Sequence, residues 1–285
     1  MRDPAANGPR GAAPLFVATL VLVLAVPASV DAHHYRYIQP GVAISTPVGG
    51  CTLNFIFQDA NTLELYAGTA AHCVTGNAEQ NGDRISVPQL GPFGTVVYNG
   101  FQHDAADFSL IKIDPGRYDQ VFAALRFWGG PSGVATSPTL GQGTLHYGHG
   151  VGFGTTEATR PREGVLEYVI SSGSLRGYYG AIHPGVPGDS GSAVLTSDGK
   201  ALGILTHIRF FSGSTIEGPT MVRILEDLAA NGWGQIVLVT SAFRPLTDEA
   251  RITDDAFDTR VEKTVDHCRD TVGLLDRNTG CVTTG

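Results

Sequence analysis

Pro187-Gly188-Asp189-Ser190-Gly191-Ser192-Ala193 reads as a tight turn around a serine, running straight into apolar Val194 and Leu195. Gly188 and Gly191 flank the serine, where such a turn needs permissive backbone angles. Beyond it, Ser192 to Leu195 and Ala201 to His207 read as strands. The same texture spreads outward. Runs rich in β-branched and aromatic residues recur at Thr52 to Phe57, Leu63 to Tyr66, Gly94 to Tyr98, Phe108 to Ile113, Leu145 to Tyr147 and Val165 to Ile170. Turn-formers separate them: Gly49-Gly50, Asp59-Ala60-Asn61, Asn81-Gly82-Asp83 and Asn99-Gly100. The pattern is all-β, of barrel or sandwich type. Gly129-Gly130-Pro131-Ser132-Gly133 divides the strands into two sets as a linker or long turn. One late helix is expected where Met221, Val222, Leu225 and Leu228 recur at helical spacing, capped by Thr220 and ended by Asn231-Gly232.

Composition agrees with many short strands. The chain of 285 residues is 42% hydrophobic and only 16% charged, with 37 glycines. A net charge of -8 and the lack of a basic stripe argue against a nucleic-acid partner. Residues 1–32 read as a signal peptide. Arg2 and Arg10 precede an apolar run from Leu15 to Val26, and Val30-Asp31-Ala32 suits cleavage. The run is short for a bilayer span, which needs about 20 apolar residues, so an uncleaved anchor is the lesser reading. The mature chain is then expected to be secreted, extracellular, monomeric and free of the membrane, with no long pro-region.

Export favours disulfides. Local pairing, Cys51 with Cys73 and Cys268 with Cys281, is the simplest arrangement, each bridge worth about 3 kcal/mol. A zinc site is the weaker alternative, because no Cys-x-x-Cys or His-x-x-x-His spacing is present. After Thr247 the chain turns acidic, with Asp248, Glu249, Asp254, Asp255 and Asp258, and reads as a solvated extension over residues 244–285.

Three segments carry candidate chemistry: Thr69-Ala70-Ala71-His72-Cys73, Asp107-Phe108-Ser109-Leu110-Ile111 and the Ser190 turn. A serine hydroxyl is a poor nucleophile until a base takes its proton. Imidazole titrates near neutrality, so His72 suits that task. A carboxylate such as Asp107 would fix its tautomer and stabilise the imidazolium. Singly, each residue has a plainer reading: a packed histidine, a strand-edge carboxylate, a simple turn. Asp104 is a rival to Asp107, but only Asp107 leads into an apolar strand.

In these motifs, and in the order His, Asp, Ser, the chain resembles the chymotrypsin-like serine protease family over roughly residues 38–240, in a form similar to bacterial secreted members. The resemblance implies two six-stranded antiparallel Greek-key barrels, about 36–125 and 140–243, within a domain of 33–243 and with a cleft between them. It implies peptide-bond hydrolysis by His72, Asp107 and Ser190, with protein or peptide as substrate, no metal and no cofactor. The backbone N–H groups of Gly188 and Ser190 are the implied oxyanion donors, each worth about 3 kcal/mol in the transition state. Cys51 and Cys73 would brace the histidine loop. Gly152-Phe153-Gly154-Thr155 resembles the Gly-Trp-Gly segment opening the second barrel. Thr206 stands where a serine usually supports the aspartate.

The chain also departs from the family. Gly-Asp-Ser-Gly continues as Ser192-Ala193 rather than Gly-Pro. Pro184 stands where trypsins keep a specificity aspartate. His183 and His207 lie near the expected pocket with Pro184 and Thr206, and one of them could meet an acidic side chain; an ordinary pocket-wall histidine is the preferred reading. No Ile-Val-Gly-Gly start is present to pair with Asp189, so an arginine is the alternative partner, its identity open. Two other function classes stay in view: a catalytically weak homologue used as a binding module, and an esterase of another fold. The second suffers because Ser192 breaks its Gly-x-Ser-x-Gly elbow.

Overall fold

The computed structural model describes residues 37–75, 82–150, 160–209 and 215–244. The leader, the acidic extension with Cys268 and Cys281, and Gly152-Phe153-Gly154-Thr155 lie outside the described residues.

Short β-branched and aromatic runs between turn-formers become antiparallel strands. The first sheet is built from β1 (Ala43–Thr46), β2 (Gly49–Thr52), β3 (Ile56–Asp59), β4 (Leu65–Thr69), β5 (Arg84–Val87), β6 (Gly91–Asn99) and β7 (Ser109–Ile113). The second uses β8 (Gly143–Tyr147), β9 (Pro161–Val169), β10 (Tyr178–Ile182), β11 (Ala193–Thr196), β12 (Ala201–Ile204), β13 (His207–Arg209) and β14 (Thr215–Pro219). The helix α1 (Met221–Ala230) follows, and β15 (Ile236–Leu238) then returns to the first sheet beside β3. Strand order is β15-β3-β4-β7-β6-β5-β1-β2 in one sheet and β12-β11-β8-β9-β10-β14-β13 in the other. The sheets therefore hold eight and seven described strands rather than six each.

Local chemistry sets the turns. Between β3 and β4, Asp59 Oδ1 accepts from the N–H groups of Asn61 at 2.7 Å and Thr62 at 2.9 Å, closing a side-chain-made turn. At the helix start, Thr220 Oγ1 accepts from Arg223 N–H at 3.2 Å, the expected cap. The buried stripe of α1 is Met221, Ile224 and Leu228, with Val222 and Leu225 only partly covered. Ile224 joins the stripe because the second sheet and the junction meet the helix on that side. Each of these side chains contributes roughly 2 kcal/mol by leaving water.

Three apolar clusters result. Ile44, Leu53, Ile56, Leu65, Ile85, Phe93 and Ile111 fill the first barrel. Leu166, Tyr179, Ala181, Val194, Leu202, Leu205 and Ile216 fill the second, with Ile208 packed against them. Between the barrels, Phe57, Tyr98 and Phe108 from one side meet Leu145, Leu195 and Ile204 from the other, together with α1. The stretch leading into the linker is pinned as well: Trp128 Nε1 donates to His146 O at 2.9 Å and Arg126 Nε to Tyr147 Oη at 2.9 Å. A rigid seam of this kind holds the groups on either side of the cleft.

Candidate active site

His72 sits in a single 3-10 turn, Ala71–Cys73, directly after β4. A disulfide from Cys73 to Cys51 ties this turn to β2, and Asn99 Nδ2 donates to Ala71 O at 3.3 Å. Asp107 precedes β7 and is 2% exposed. Its Oδ2 lies 2.8 Å from His72 Nδ1, and its Oδ1 accepts the His72 backbone N–H at 3.0 Å. One carboxylate thus holds both ring and backbone of the histidine. That hydrogen bond raises the His72 pKa above its ordinary value; burial opposes the shift and the Asp107 charge adds to it. Asp104 is exposed, in a left-handed conformation at the end of the preceding turn.

Groups from the second barrel and α1 clamp the Asp107 segment. Tyr178 Oη accepts the Asp107 N–H at 3.1 Å. Asp227 Oδ2 accepts the Ala106 N–H at 2.8 Å and is itself held by Arg223 Nε at 2.8 Å. Neither Tyr178 nor Asp227 has a sequence signal, because each lies far along the chain and reaches Asp107 only through the barrel junction.

Ser190 is gripped from both barrels. Its carbonyl accepts from Thr52 N–H at 2.9 Å, and Cys73 Sγ lies 3.8 Å from the same oxygen. Gly191 N–H donates to Leu205 O at 2.7 Å. Gly191 has φ +87°, and a Cβ there would stand 2.6 Å from Thr52 O, so the turn demands glycine on two counts. The ring hydrogen bond of His72 runs to Asp107; none joins His72 to Ser190 among the described residues. Such contacts commonly tighten only when substrate is bound. Gly188 has φ +97°, and its carbonyl accepts from Thr52 Oγ1 at 2.8 Å. The N–H groups of Gly188 and Ser190 donate to no other described group.

Asp189 is fully buried and forms an ion pair with Arg162 of β9, which identifies the arginine. Asp189 also accepts from the N–H groups of Val186 and Gly150 at 2.8 Å each. Gly148 and Gly150 press on it: a Cβ at either would lie 2.6 Å from Asp189 Cγ or Oδ1 respectively. This Gly-x-Gly has no sequence signal and abuts the serine turn, whereas residues 152–155 lie outside the described residues.

Other expected groups are placed differently. The Thr206 hydroxyl meets His207 Nδ1 at 2.8 Å and Glu217 O at 3.4 Å. It does not support Asp107, whose place is kept by His72, Tyr178 and the Asp227 clamp. Pro184 is exposed, and its carbonyl accepts from Arg162 Nη1 at 3.3 Å. His183 is 1% exposed, and burial pushes its pKa down to about 4, so it is neutral at pH 7. Its ring meets His146 edge-on, with centroids 5.2 Å apart. His146 Nε2 lies 2.6 Å from Ser192 Oγ. This second Ser–His pair is fully buried and closed to any substrate. Among the described residues no group of three His, Cys, Asp or Glu side chains is placed to hold a metal.

No protein-family model and no curated protein matches the chain. Solved structures do. Thermobifida fusca protease A aligns with a TM-score of 0.52 at 20% identity, over 72% of this chain and 99% of its own. Cellulomonas bogoriensis chymotrypsin aligns at 0.50 and 18% identity, over 71% and 98%. A glutamic acid-specific serine protease, described as using a histidine triad in substrate binding, aligns at 0.52 and 17% identity, over 68% and 98%. At these identities the likeness establishes the fold, which is the chymotrypsin-like double barrel of bacterial serine proteases.

Proposed function

We propose that the chain is a secreted serine endopeptidase that cleaves peptide bonds through an acyl-enzyme. The observation that carries this reading is the buried Asp107 holding His72 by ring and backbone beside a serine turn with two undonated N–H groups. His72 Nε2 takes the Ser190 proton as Oγ attacks the scissile carbonyl. The oxyanion that forms is met by the N–H groups of Gly188 and Ser190, fixed in place before reaction. Asp107 stabilises the imidazolium, which then protonates the leaving amine. Water, deprotonated by the same imidazole, releases the acyl group.

The alternative reading is a catalytically weak homologue that binds peptides. One experiment separates the two. A fluorophosphonate probe should label the secreted protein, Ser190→Ala should abolish labelling, and casein hydrolysis should disappear with it. Labelling that survives the substitution removes Ser190 from the mechanism, and labelling without hydrolysis favours the binding module.

A histidine-based acidic preference, as described for the glutamic acid-specific protease, finds little support here. His183 is buried and neutral, and His207 stands exposed on the far face of the β13–β14 hairpin. The Cys51–Cys73 bridge suits an oxidising compartment.

A further inference from the structure

We infer that this site accepts only a small uncharged side chain, glycine or alanine, on the residue whose carbonyl is attacked, and that Ile208 and Ile216 impose the limit. The inference rests on Ser190 being a peptidase nucleophile. With the acyl oxygen against the Gly188 and Ser190 N–H groups and the leaving amine toward His72, the inference places that side chain in the slit between residues 184–187, just before the serine turn, and the strand that follows Leu205. The strand is tied to the nucleophile turn by Gly191 N–H to Leu205 O at 2.7 Å and Leu205 N–H to Ser192 O at 2.9 Å.

The slit is already filled. Ile208 on β13 pairs directly with Ile216 on β14, so both side chains stand on one face of the hairpin. Gly185 lies on that face. A Cβ built at Gly185 would be 2.8 Å from Ile216 Cγ2, and 3.2 and 3.4 Å from Ile208 Cγ1 and Cδ1. The isoleucines are thus in van der Waals contact with the opposite wall. Ile216 is 0% exposed and belongs to the second barrel's apolar interior with Leu205 and Leu202. Among the described residues, the gap between Gly185 and these two isoleucines leaves no room for an aromatic ring or long aliphatic chain.

Among the described residues, the charged groups nearby are already engaged. His207 and Glu217 face each other on the hairpin's other side, where Glu217 is engaged by Arg209 at 2.9 Å and by the Tyr168 hydroxyl. Arg162 is engaged by Asp189. A charge entering an apolar slit unpaired is strongly disfavoured.

The test is a set of tetrapeptide p-nitroanilides that differ only in the residue preceding the scissile bond: Ala, Leu, Phe, Lys and Glu. The alanine substrate should show kcat/KM about 100-fold above each of the others, the size expected when a pocket lacks room. Ile208→Ala opens the slit and should raise kcat/KM on the leucine and phenylalanine substrates at least tenfold. Ile216→Val, a smaller truncation, should shift the ratio the same way, and it serves if thermal melting shows that Ile208→Ala does not fold. Faster wild-type cleavage after Phe, Leu, Lys or Glu than after Ala overturns the inference while leaving the peptidase reading intact. If none of the five is cleaved and a fluorophosphonate fails to label Ser190, the peptidase reading falls and this inference with it.

Discussion

Replacing Arg162 with methionine should destabilise the protein and slow its chemistry together. Asp189 is 0% exposed and the Arg162 side chain 8%, so the substitution strands a carboxylate out of water. Removing one partner of a buried pair costs about 3–5 kcal/mol. Asp189 keeps the Val186 and Gly150 N–H donors at 2.8 Å, which places the expected loss near the lower end, about 3 kcal/mol. That is a folding equilibrium constant lower by about 100-fold, and a Tm lower by about 6–12 °C for a domain of this size. Urea denaturation with unchanged m-value reads the loss directly. Asp189 adjoins Ser190, so its displacement disturbs the Gly188 and Ser190 donors. Fluorophosphonate labelling should slow by about 100-fold or more. The decisive control is the double variant Arg162→Met/Asp189→Asn, which removes the stranded charge and should recover at least half of the lost stability. A single-variant loss below about 1 kcal/mol, or a double variant no more stable than the single, refutes the argument that this pair holds the nucleophile turn.

Three further outcomes follow from the same geometry. Asp107→Asn should lower kcat by about 10⁴-fold. His72 must be neutral to act as base, so activity falls as pH drops through its raised pKa; losing the Asp107 bond should move that acid limb of kcat/KM to lower pH. The same pair adds stability that is complete below the unfolded-state histidine pKa of about 6.5 and lost as pH rises through the folded value, which a pH series of melts would show as a declining wild-type advantage over the variant. Tyr178→Phe leaves the Asp107 N–H without its acceptor and should cost about 1–3 kcal/mol, with kcat reduced and KM held. Joint replacement of Cys51 and Cys73 by alanine opens a 22-residue loop and should cost about 3 kcal/mol in chemical denaturation.

What the sequence disclosed and what it withheld divide along a physical line. Strands, the Thr220 cap and the Gly-flanked serine turn are decided by neighbours in the chain, and they could be read from local patterns. Asp107 outranked Asp104 by its local context, the apolar strand that follows it. Contacts made across the barrel junction left no such trace. Tyr178 and Asp227 are ordinary strand and helix residues until β10 and α1 are laid against the Asp107 segment. Arg162 could not be told from other arginines until β9 brought it beneath Asp189. Thr206 shows the converse: a position matching the family by order turns its hydroxyl to His207 instead. The Ile208–Ile216 plug depends on register, since a shift of one residue would point both side chains the other way.

The return of β15 to the first sheet links the two ends of the folding process. Ile236, Val237 and Leu238 complete the edge of β3 by pairing with Asp59, Gln58 and Phe57. Until that late segment has left the ribosome, β3 presents an unpaired edge. Such distant pairing slows folding and leaves the open edge as a template for association. The first barrel is therefore not a separable module. A chain cut after α1 should fail by clumping, and the serine turn should settle only when almost all of the described sequence is in hand.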